Sequence, residues 1–316
     1  MNILVTGASG FVGKELVKKL IVNPSFDRVT VLVRKYNLDF DSKVIQILGQ
    51  ENNFFSTEIL DNTHVIIHLA GRAHILNEKV KDPLQEFRKV NVEGTLELAK
   101  QALENKVKRF IFISSIGVNG SSTNGKAFSE QDVPQPHADY AVSKLEAELA
   151  LQKLFEGSET ELVIIRPPLV YDAHAPGNFA RLLKLASTNI PLPFVGVNNK
   201  RTFVALENLV NFIECCITHP LAKNELFLIA DTESLSTKQL VTYLRQGMQK
   251  KANLIYIPNF IMKLGALGIG KIKLYEQLFG SLEVDASKAR TLLGWQPPLD
   301  AEAALQNAGS KYIKVK

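Results

Sequence analysis

Residues 6–13, TGASGFVG, decide the fold of this chain. They follow a short apolar run at 3–5 that is typical of a buried strand, and they lead into apolar residues at helical spacing. Between a strand and a helix, glycines three residues apart predict a loop that binds the diphosphate of a dinucleotide. Gly7 permits the tight turn, Gly10 lets the diphosphate approach the backbone, and Gly13 lets the helix pack closely on the strand. A glycine-rich turn without a ligand is the alternative.

Outward from this loop, apolar runs alternate with helical patterns. The runs near 28–34, 43–48, 63–69, 110–114 and 161–166 predict strands, and the patterns at 90–102 and 140–155 predict helices. Strands without polar alternation, separated by helices, are typical of a parallel sheet covered on both faces. The expected fold class is therefore α/β, a Rossmann-type doubly wound parallel sheet with a smaller, mostly helical substrate-binding lobe.

The pattern changes after residue 166, where prolines become frequent and periodicity is weak. A helix is predicted at 204–218 and a returning strand at 225–230, and mostly helical structure follows from 237. We therefore expect a dinucleotide-binding domain made of 1–166 plus about 201–234. The substrate-binding lobe would comprise about 167–200 plus 235–316.

Composition excludes several classes of protein. The chain has 316 residues with 46% hydrophobic and 22% charged, which is typical of a globular protein and not of a disordered or fibrous one. A net charge of +5 is too mild for a nucleic-acid binder. Adjacent Cys215 and Cys216 are the only cysteines, and the histidines lack metal-ligand spacing, so neither a disulfide framework nor a metal site is expected. Without a secretory signal or a spanning apolar run, a cytoplasmic protein with no stable membrane insertion is predicted.

The end of the second predicted strand bears on the choice of dinucleotide. An acidic residue there would bind the ribose 2′-hydroxyl, whereas an arginine accommodates a 2′-phosphate. Here the strand ends in Val33-Arg34-Lys35. The sequence therefore favours NADP(H), and NAD(H) with Arg34 stacked on the adenine is the alternative.

Three residues form a candidate catalytic group. Tyr140 and Lys144 stand four apart on a predicted helix and so share one face. An ammonium beside a phenol lowers the phenol pKa, which suits a tyrosine that exchanges protons with a hydroxyl or carbonyl. Ser115 follows a predicted strand, at the edge of the sheet where ligands bind in doubly wound folds.

Residues 254–274 are unusually apolar. We expect a helix that packs into the substrate-binding lobe, because a small lobe needs apolar residues to dock on the sheet. A lid or a contact with a membrane surface is the alternative.

Six motifs together resemble the extended short-chain dehydrogenases/reductases of the NAD-dependent epimerase/dehydratase family. They are TGxxGFxG (6–13), HLAG (68–71), NVEGT (91–95), SSIGVNG (114–120), YAVSK (140–144) and RPPLVY (166–171). Later landmarks at 201–203, 285–288 and 293–295 extend the resemblance over essentially the whole chain. The motifs are specific for the family and much less so for the substrate.

The resemblance implies a role for each matching residue. Tyr140 would be the general acid/base, Lys144 would hold the nicotinamide ribose, Ser115 would bind the reacting oxygen, and Asn178 and Arg201 would bind the substrate diphosphate. It further implies a homodimer through the helices near 90–102 and 140–155. The residues implied to bind the cofactor are Gly7, Ser9, Gly10, Phe11, Val12, Gly13, Arg34, Ala70, Gly71, Asn91, Ser114, Tyr140, Lys144 and Pro167.

The resemblance implies chemistry at C4 of a nucleotide-linked sugar, with a UDP-sugar as the expected substrate. Dehydration is disfavoured because Ile116, Gly117 and Val118 follow Ser115 where dehydratases carry an acidic pair. Reduction of a UDP-4-keto-6-deoxy-hexosamine in polysaccharide biosynthesis is favoured slightly over 4-epimerisation with tightly bound NAD. A regulator that only senses a dinucleotide is the alternative of another class, although such proteins typically lose the tyrosine or the lysine.

Overall fold

The computed structural model describes residues 1–49, 60–73, 82–268 and 270–314. The strands in this part of the chain are β1 (Asn2–Thr6), β2 (Arg28–Val33), β3 (Val44–Leu48), β4 (Val65–His68), β5 (Arg109–Ile113), β6 (Glu161–Arg166), β7 (Leu169–Tyr171), β8 (Phe203–Ala205) and β9 (Glu225–Leu228). The α-helices are α1 (Phe11–Leu20), α2 (Pro83–Arg88), α3 (Gly94–Glu104), α4 (Asp139–Phe155), α5 (Gly177–Ala186), α6 (Leu206–Thr218), α7 (Thr237–Gly247), α8 (Asn259–Gly268), α9 (Ile272–Phe279), α10 (Ser287–Leu293) and α11 (Ala301–Lys314).

The main sheet has the order β3-β2-β1-β4-β5-β6-β9, and every pair of neighbours is parallel. The chain leaves β1 toward β3 and returns to β4 on the other side of β1, so the strand order reverses between β1 and β4. A ligand crevice forms at such a reversal, outside the carboxyl ends of the strands. The predicted doubly wound parallel sheet is therefore confirmed.

Successive residues of β1 show how the sheet is covered. Ile3 and Val5 belong to one buried cluster, with residues of α1, α6 and α10, whereas Leu4 belongs to another, with residues of α3 and α4. Alternate side chains of a strand point to opposite faces, so apolar residues at all three positions require helices on both faces.

A third buried cluster lies apart from the main sheet. It combines β7, β8, α5, α7 and α11, and it includes Tyr171, Phe179, Leu244 and Leu305. Its members from β7, α5, α7 and α11 fall in the ranges predicted for the second lobe, whereas those from β8 fall in the range predicted for the dinucleotide-binding domain. The division of the chain into two domains stays a prediction. Trp295 lies in the range predicted for the second lobe, but it packs into the buried cluster on the main sheet.

Two element predictions need correction. The helix expected from residue 90 begins at Pro83, because Asp82 accepts a hydrogen bond from the Gln85 amide at 3.1 Å and Pro83 occupies the first helical position. Residues Lys89–Glu93 then form a π-helical turn before α3. The helix expected at 204–218 begins at Leu206, since residues 203–205 pair with β7 instead.

The expectation that residues 254–274 pack into the second lobe is wrong for α8, in which no residue is buried. In the part of the chain that the structure describes, no helix combines the length and the apolar character needed to cross a membrane.

Candidate functional site

The glycine loop joins β1 to α1 at the reversal of the strand order. Gly7 has φ +69°, and a Cβ there would lie 2.6 Å from the Ala70 amide nitrogen. Both the backbone conformation and the steric clash therefore exclude a side chain at this position. A Cβ at Gly13 would lie 2.3 Å from the Gly7 carbonyl oxygen, which fixes the close approach of α1. At Gly10 a Cβ would meet only that same oxygen, at 3.1 Å. Internal packing thus requires Gly7 and Gly13 more strictly than Gly10.

Gly7→Ala should abolish dinucleotide binding and destabilise the protein well beyond the cost of its backbone conformation. That conformation alone costs about 1–2 kcal/mol for a residue with a Cβ, and the clash with the 69–70 backbone adds to it. Thermal unfolding and fluorescence titration with NAD(H) measure the two effects. Gly125→Ala is the matched control, because Gly125 also has a positive φ of +78° but a Cβ there meets nothing within 4 Å. Equal effects of the two substitutions would contradict the close approach of Gly7 to the backbone of residues 69–70.

A buried chain of hydrogen bonds ties the strand ends together. The Ala70 amide donates to Thr6 Oγ1 at 3.3 Å, Thr6 Oγ1 lies 2.7 Å from His68 Nδ1, and His68 Nε2 lies 2.9 Å from Thr95 Oγ1. Thr95 Oγ1 donates to the Asn91 carbonyl at 2.7 Å, so it accepts from His68. The directions of these hydrogen bonds therefore agree when His68 carries its proton on Nε2. Burial lowers the pKa of His68 to about 3, so its ring stays neutral. His68 therefore organises the backbone beside the glycine loop.

Asn91 lies in the π-helical turn and links the 70–73 loop to α4. Its Oδ1 accepts from the Arg72 amide at 2.7 Å, and its Nδ2 donates to Ser143 Oγ at 3.0 Å. Ser143 Oγ in turn donates to the Tyr140 carbonyl at 2.8 Å. The extra residue of a π turn re-aims side chains at functional sites. Here the buried side-chain amide of Asn91 is hydrogen-bonded through Ser143 to the first turn of α4, which carries Tyr140.

Lys144 is buried at the centre of the site. Its Nζ donates to the carbonyl of Ile113, the last residue of β5, at 2.9 Å and lies 4.5 Å from the centroid of the Phe112 ring. A Cβ on Gly71 would lie 3.5 Å from the same nitrogen, so the 70–71 backbone borders this ammonium. Burial lowers the pKa of Lys144 to about 8, although Glu148 acts in the opposite direction.

Tyr140 is half-buried, with its ring edge against Phe87 at 6.1 Å between centroids. Burial raises the pKa of Tyr140 to about 12. The sequence predicted the opposite direction, on the assumption that the ammonium one turn away would stabilise the phenolate. That expectation is not met in this arrangement, because Lys144 Nζ lies 6.0 Å from the tyrosine ring centroid and is directed at the Ile113 carbonyl.

Ser115 begins a single 3-10 turn, and its Oγ accepts from the Gly117 amide at 3.1 Å. A Cβ on Gly117 would lie 3.2 Å from Ala141 Cβ and 3.3 Å from Ser115 Oγ, so this turn lies directly against the start of α4. The fold thus brings Ser115 beside the helical turn of Tyr140. The Pro167 carbonyl accepts from the Ile116 amide at 3.0 Å and fixes the same turn from the end of β6.

A buried ion pair lies one turn beyond Lys144 on α4. Arg166 Nε donates to Glu148 Oε1 at 2.9 Å, and Arg166 Nη1 donates to Asn119 Oδ1 at 2.9 Å. The two charged side chains are only 4% and 2% exposed, so neither charge is compensated by water. Sequence reasoning missed this pair, since a charged residue on a helix gives no sign of its burial.

The predicted diphosphate-binding residues both contact the end of α9. Asn178 Nδ2 donates to Gln277 Oε1 at 3.1 Å, and Arg201 Nη1 donates to the Gly280 carbonyl at 3.2 Å. Just beyond, the Ser281 carbonyl accepts from the Thr123 amide at 2.9 Å, and 123 belongs to the loop that follows the Ser115 turn. Arg201 and Asn178 therefore both contact a segment, 277–281, that is hydrogen-bonded to the loop after the Ser115 turn.

The remaining predicted cofactor residues lie around the glycine loop. Ser9 and Gly10 are exposed in the loop, Phe11 and Val12 open α1, and Arg34 is exposed directly after β2. Phe11 also packs against both the sheet cluster and the cluster of the second lobe.

The chemistry of these residues fits a dinucleotide. The first amides of α1 and the open backbone at Gly10 suit a diphosphate. Among the described residues, the buried Ser114 hydroxyl has no hydrogen-bond partner, as a group reserved for a ligand would be. Within the described residues, no group of three or more His, Cys, Asp or Glu side chains could hold a metal ion.

Comparison with known proteins agrees with this geometry. The sequence profile of the NAD-dependent epimerase/dehydratase family matches residues 3–230. The chain is 39% identical over 316 residues to a UDP-glucose 4-epimerase of Vibrio cholerae, covering 99% of this chain and 96% of the relative. It is 28% identical over 270 residues to an N-acetyl-alpha-D-glucosaminyl-diphospho-ditrans,octacis-undecaprenol 4-epimerase of Escherichia coli O157:H7, covering 84% and 77%. The solved UDP-glucuronic acid 4-epimerase of Bacillus cereus, in complex with NAD, shares the fold with a TM-score of 0.77 at 24% identity, covering 100% and 99%.

Proposed function

This chain belongs to the NAD-dependent epimerase/dehydratase family, and we propose that it interconverts the C4 epimers of a UDP-hexose with NAD(H) as a retained cofactor. The observation that carries the proposal is the meeting of Ser115, Tyr140 and Lys144 at the end of β5. It occurs in a chain similar over its whole length to a UDP-glucose 4-epimerase. Both relatives named above are 4-epimerases although they differ in what carries the sugar, which favours chemistry at C4.

The residues would divide the chemistry as follows. Tyr140, in its deprotonated form, would take the proton of the sugar 4-hydroxyl and later return it, and the Ser115 hydroxyl would hold the same oxygen. Lys144 would act as a cation that holds the nicotinamide ribose, with its Nζ 6.0 Å from the centroid of the Tyr140 ring. A bound nicotinamide supplies the capacity to accept a hydride from C4 and to return it. The glycine loop, Ser114 and Gly71 would hold the dinucleotide.

Arg201 and Asn178 would bind the substrate diphosphate from the second lobe. A guanidinium can donate to two phosphate oxygens at once, and burial lowers the pKa of Arg201. This arrangement would hold the nucleotide while the sugar turns to present its other face, as epimerisation requires.

A reductase of UDP-4-keto-6-deoxy-hexosamines is the second candidate. The observation in its favour is the exposed Arg34 after β2, with no acidic residue before Asp39, which suits the 2′-phosphate of NADPH. A reductase releases its oxidised cofactor after each turnover, whereas an epimerase restores its cofactor within the turnover. The two candidates therefore predict opposite results in one assay.

The purified protein, incubated with UDP-glucose in D2O, should form UDP-galactose without added cofactor and without deuterium at C4. The hydride that leaves C4 would return to it and would not exchange with solvent. Mass spectrometry and proton NMR of the product measure both properties. Stoichiometric loss of NADPH absorbance with a 4-keto sugar, and no interconversion of UDP-hexoses, would favour the reductase instead.

A further inference from the structure

Helix α8 presents an unusual surface. Phe260, Leu264 and Leu267 follow one another at helical spacing of four and three, and they are 66%, 63% and 52% exposed. Ile255 and Ile261 are exposed beside them, and no residue of α8 is buried. We call residues 255–267 the apolar surface. An apolar stripe on a helix normally faces a core, and among the residues that the structure describes no core covers this stripe.

Helix α9 fixes the apolar surface to the second lobe. Phe279 stacks on Tyr275 at 4.5 Å between ring centroids and meets Phe194 at 6.0 Å, and it packs with Leu278 against the buried cluster of that lobe. The buried contacts thus belong to α9, while α8 lies outside them. Helix α8 contacts α9, where the Tyr275 hydroxyl donates to the Asn259 carbonyl at 3.5 Å, but a ten-residue helix that buries none of its side chains gains little stability from packing.

The sequence segment 234–275, which contains the apolar surface, carries charges of only one sign, although the exposed Glu276 follows it directly on α9. Residues 234–275 contain seven of the chain's 37 lysines and arginines and none of its 32 acidic residues, so the rest of the chain holds thirty basic and 32 acidic residues. Of the seven, Arg245 is buried and bonded to backbone carbonyls, whereas Lys251, Lys263 and Lys271 are exposed. The net positive charge of the protein therefore derives from this segment alone.

We propose that the apolar surface docks this protein on a bilayer that contains anionic lipids. Phe260, Leu264 and Leu267 would enter the boundary between headgroups and acyl chains, and Lys263 and Lys271 would contact the lipid phosphates. Helix α8 exposes apolar side chains beside Lys263, and Lys271 lies just beyond its end, which is the combination of apolar surface and positive charge that interfacial binding requires. Lysine stems can also extend from an apolar face toward the headgroups.

A second copy of the chain suits this surface less well. A two-fold contact would set the same surface against itself, and the lysines of each copy would then face those of the other. Like charges brought together in this way oppose association, whereas anionic lipids neutralise them.

Docking through α8 has a consequence for the candidate site. Gln277 and Gly280, at the end of α9, contact the predicted diphosphate-binding residues Asn178 and Arg201. The rim of the substrate site would then lie close to the lipid surface. The proposal does not depend on which sugar the site accepts, and binding is measured without turnover.

The test is cosedimentation of the full-length protein with vesicles of phosphatidylglycerol and phosphatidylcholine, compared with vesicles of phosphatidylcholine alone. The wild type should bind the anionic vesicles, less in high salt. The double variant Phe260→Ser/Leu264→Ser should lower the partition coefficient about tenfold or more. Leu38→Ser/Val133→Ser is the matched control, because these residues are 98% and 77% exposed elsewhere, and it should bind as the wild type does.

Thermal unfolding and UDP-hexose turnover should be the same in the double variant and the wild type, which separates a docking defect from misfolding. The proposal is overturned if the wild type binds neither kind of vesicle, or if the double variant and the control lose binding equally. It is also overturned if light scattering shows a dimer that the double variant abolishes while vesicle binding is absent.

Discussion

Tyr140→Phe is expected to lower kcat about a thousandfold, within the range that a positioned general acid/base contributes. The substitution removes only the hydroxyl, and the ring would keep its edge contact with Phe87. Folding and dinucleotide binding should therefore remain intact. Measurement combines steady-state turnover of the UDP-hexose with thermal unfolding and NAD(H) titration.

Tyr256→Phe serves as the control, because Tyr256 is exposed outside the catalytic group and should tolerate loss of its hydroxyl. Turnover of Tyr140→Phe within tenfold of the wild type, which is less than general acid/base catalysis normally supplies, would remove Tyr140 from the proton transfer. Loss of dinucleotide binding together with turnover would instead assign it to the cofactor site.

Glu148→Gln is expected to destabilise the protein by about 3–5 kcal/mol, because it leaves the guanidinium of Arg166 buried without its counter-charge. A second effect should reach the active site. Glu148 opposes the burial that lowers the pKa of Lys144, so its neutralisation should lower that pKa further, from about 8. Since Lys144 acts as a cation, the alkaline fall in kcat/KM should move to lower pH.

Glu146→Gln is a matched control for this pair. Glu146 lies on the same helix and accepts from Arg88, but the two side chains are 33% and 40% exposed, and such pairs contribute about 0–1 kcal/mol. Denaturant unfolding compares the stabilities, and pH profiles of kcat/KM compare the titrations. If the alkaline limb of the pH profile is unchanged in Glu148→Gln, the charge of Glu148 does not affect the pKa of Lys144. Equal stability losses in the two variants would contradict the burial argument.

Local sequence determined much of the sheet. A run such as 3–5 has apolar residues at every position, and only a strand covered on both faces can bury all of them. The glycine spacing at 7, 10 and 13 follows from contacts within a few residues and with the adjacent strand end. Tyr140 and Lys144 could be identified in advance because their four-residue spacing and their helix are local properties.

Other features depended on partners far apart in the chain. The sequence offered no sign that His68 would join Thr6 to Thr95, or that Asn91 would hold α4 through Ser143. The direction of the Tyr140 pKa shift was also mispredicted. Spacing predicts that two side chains share a helix face, but the pKa depends on burial and on where the ammonium is directed.

The sequence by itself determined the fold class, the cofactor loop and the catalytic residue types, because periodicity, glycine spacing and helical spacing are short-range properties. Only the tertiary structure decided which charges are buried, which hydroxyl lacks a hydrogen-bond partner among the described residues, and that the apolar residues of α8 face outward. Burial and hydrogen bonding join residues that are distant in the chain, so their energies depend on the folded arrangement and not on the local pattern.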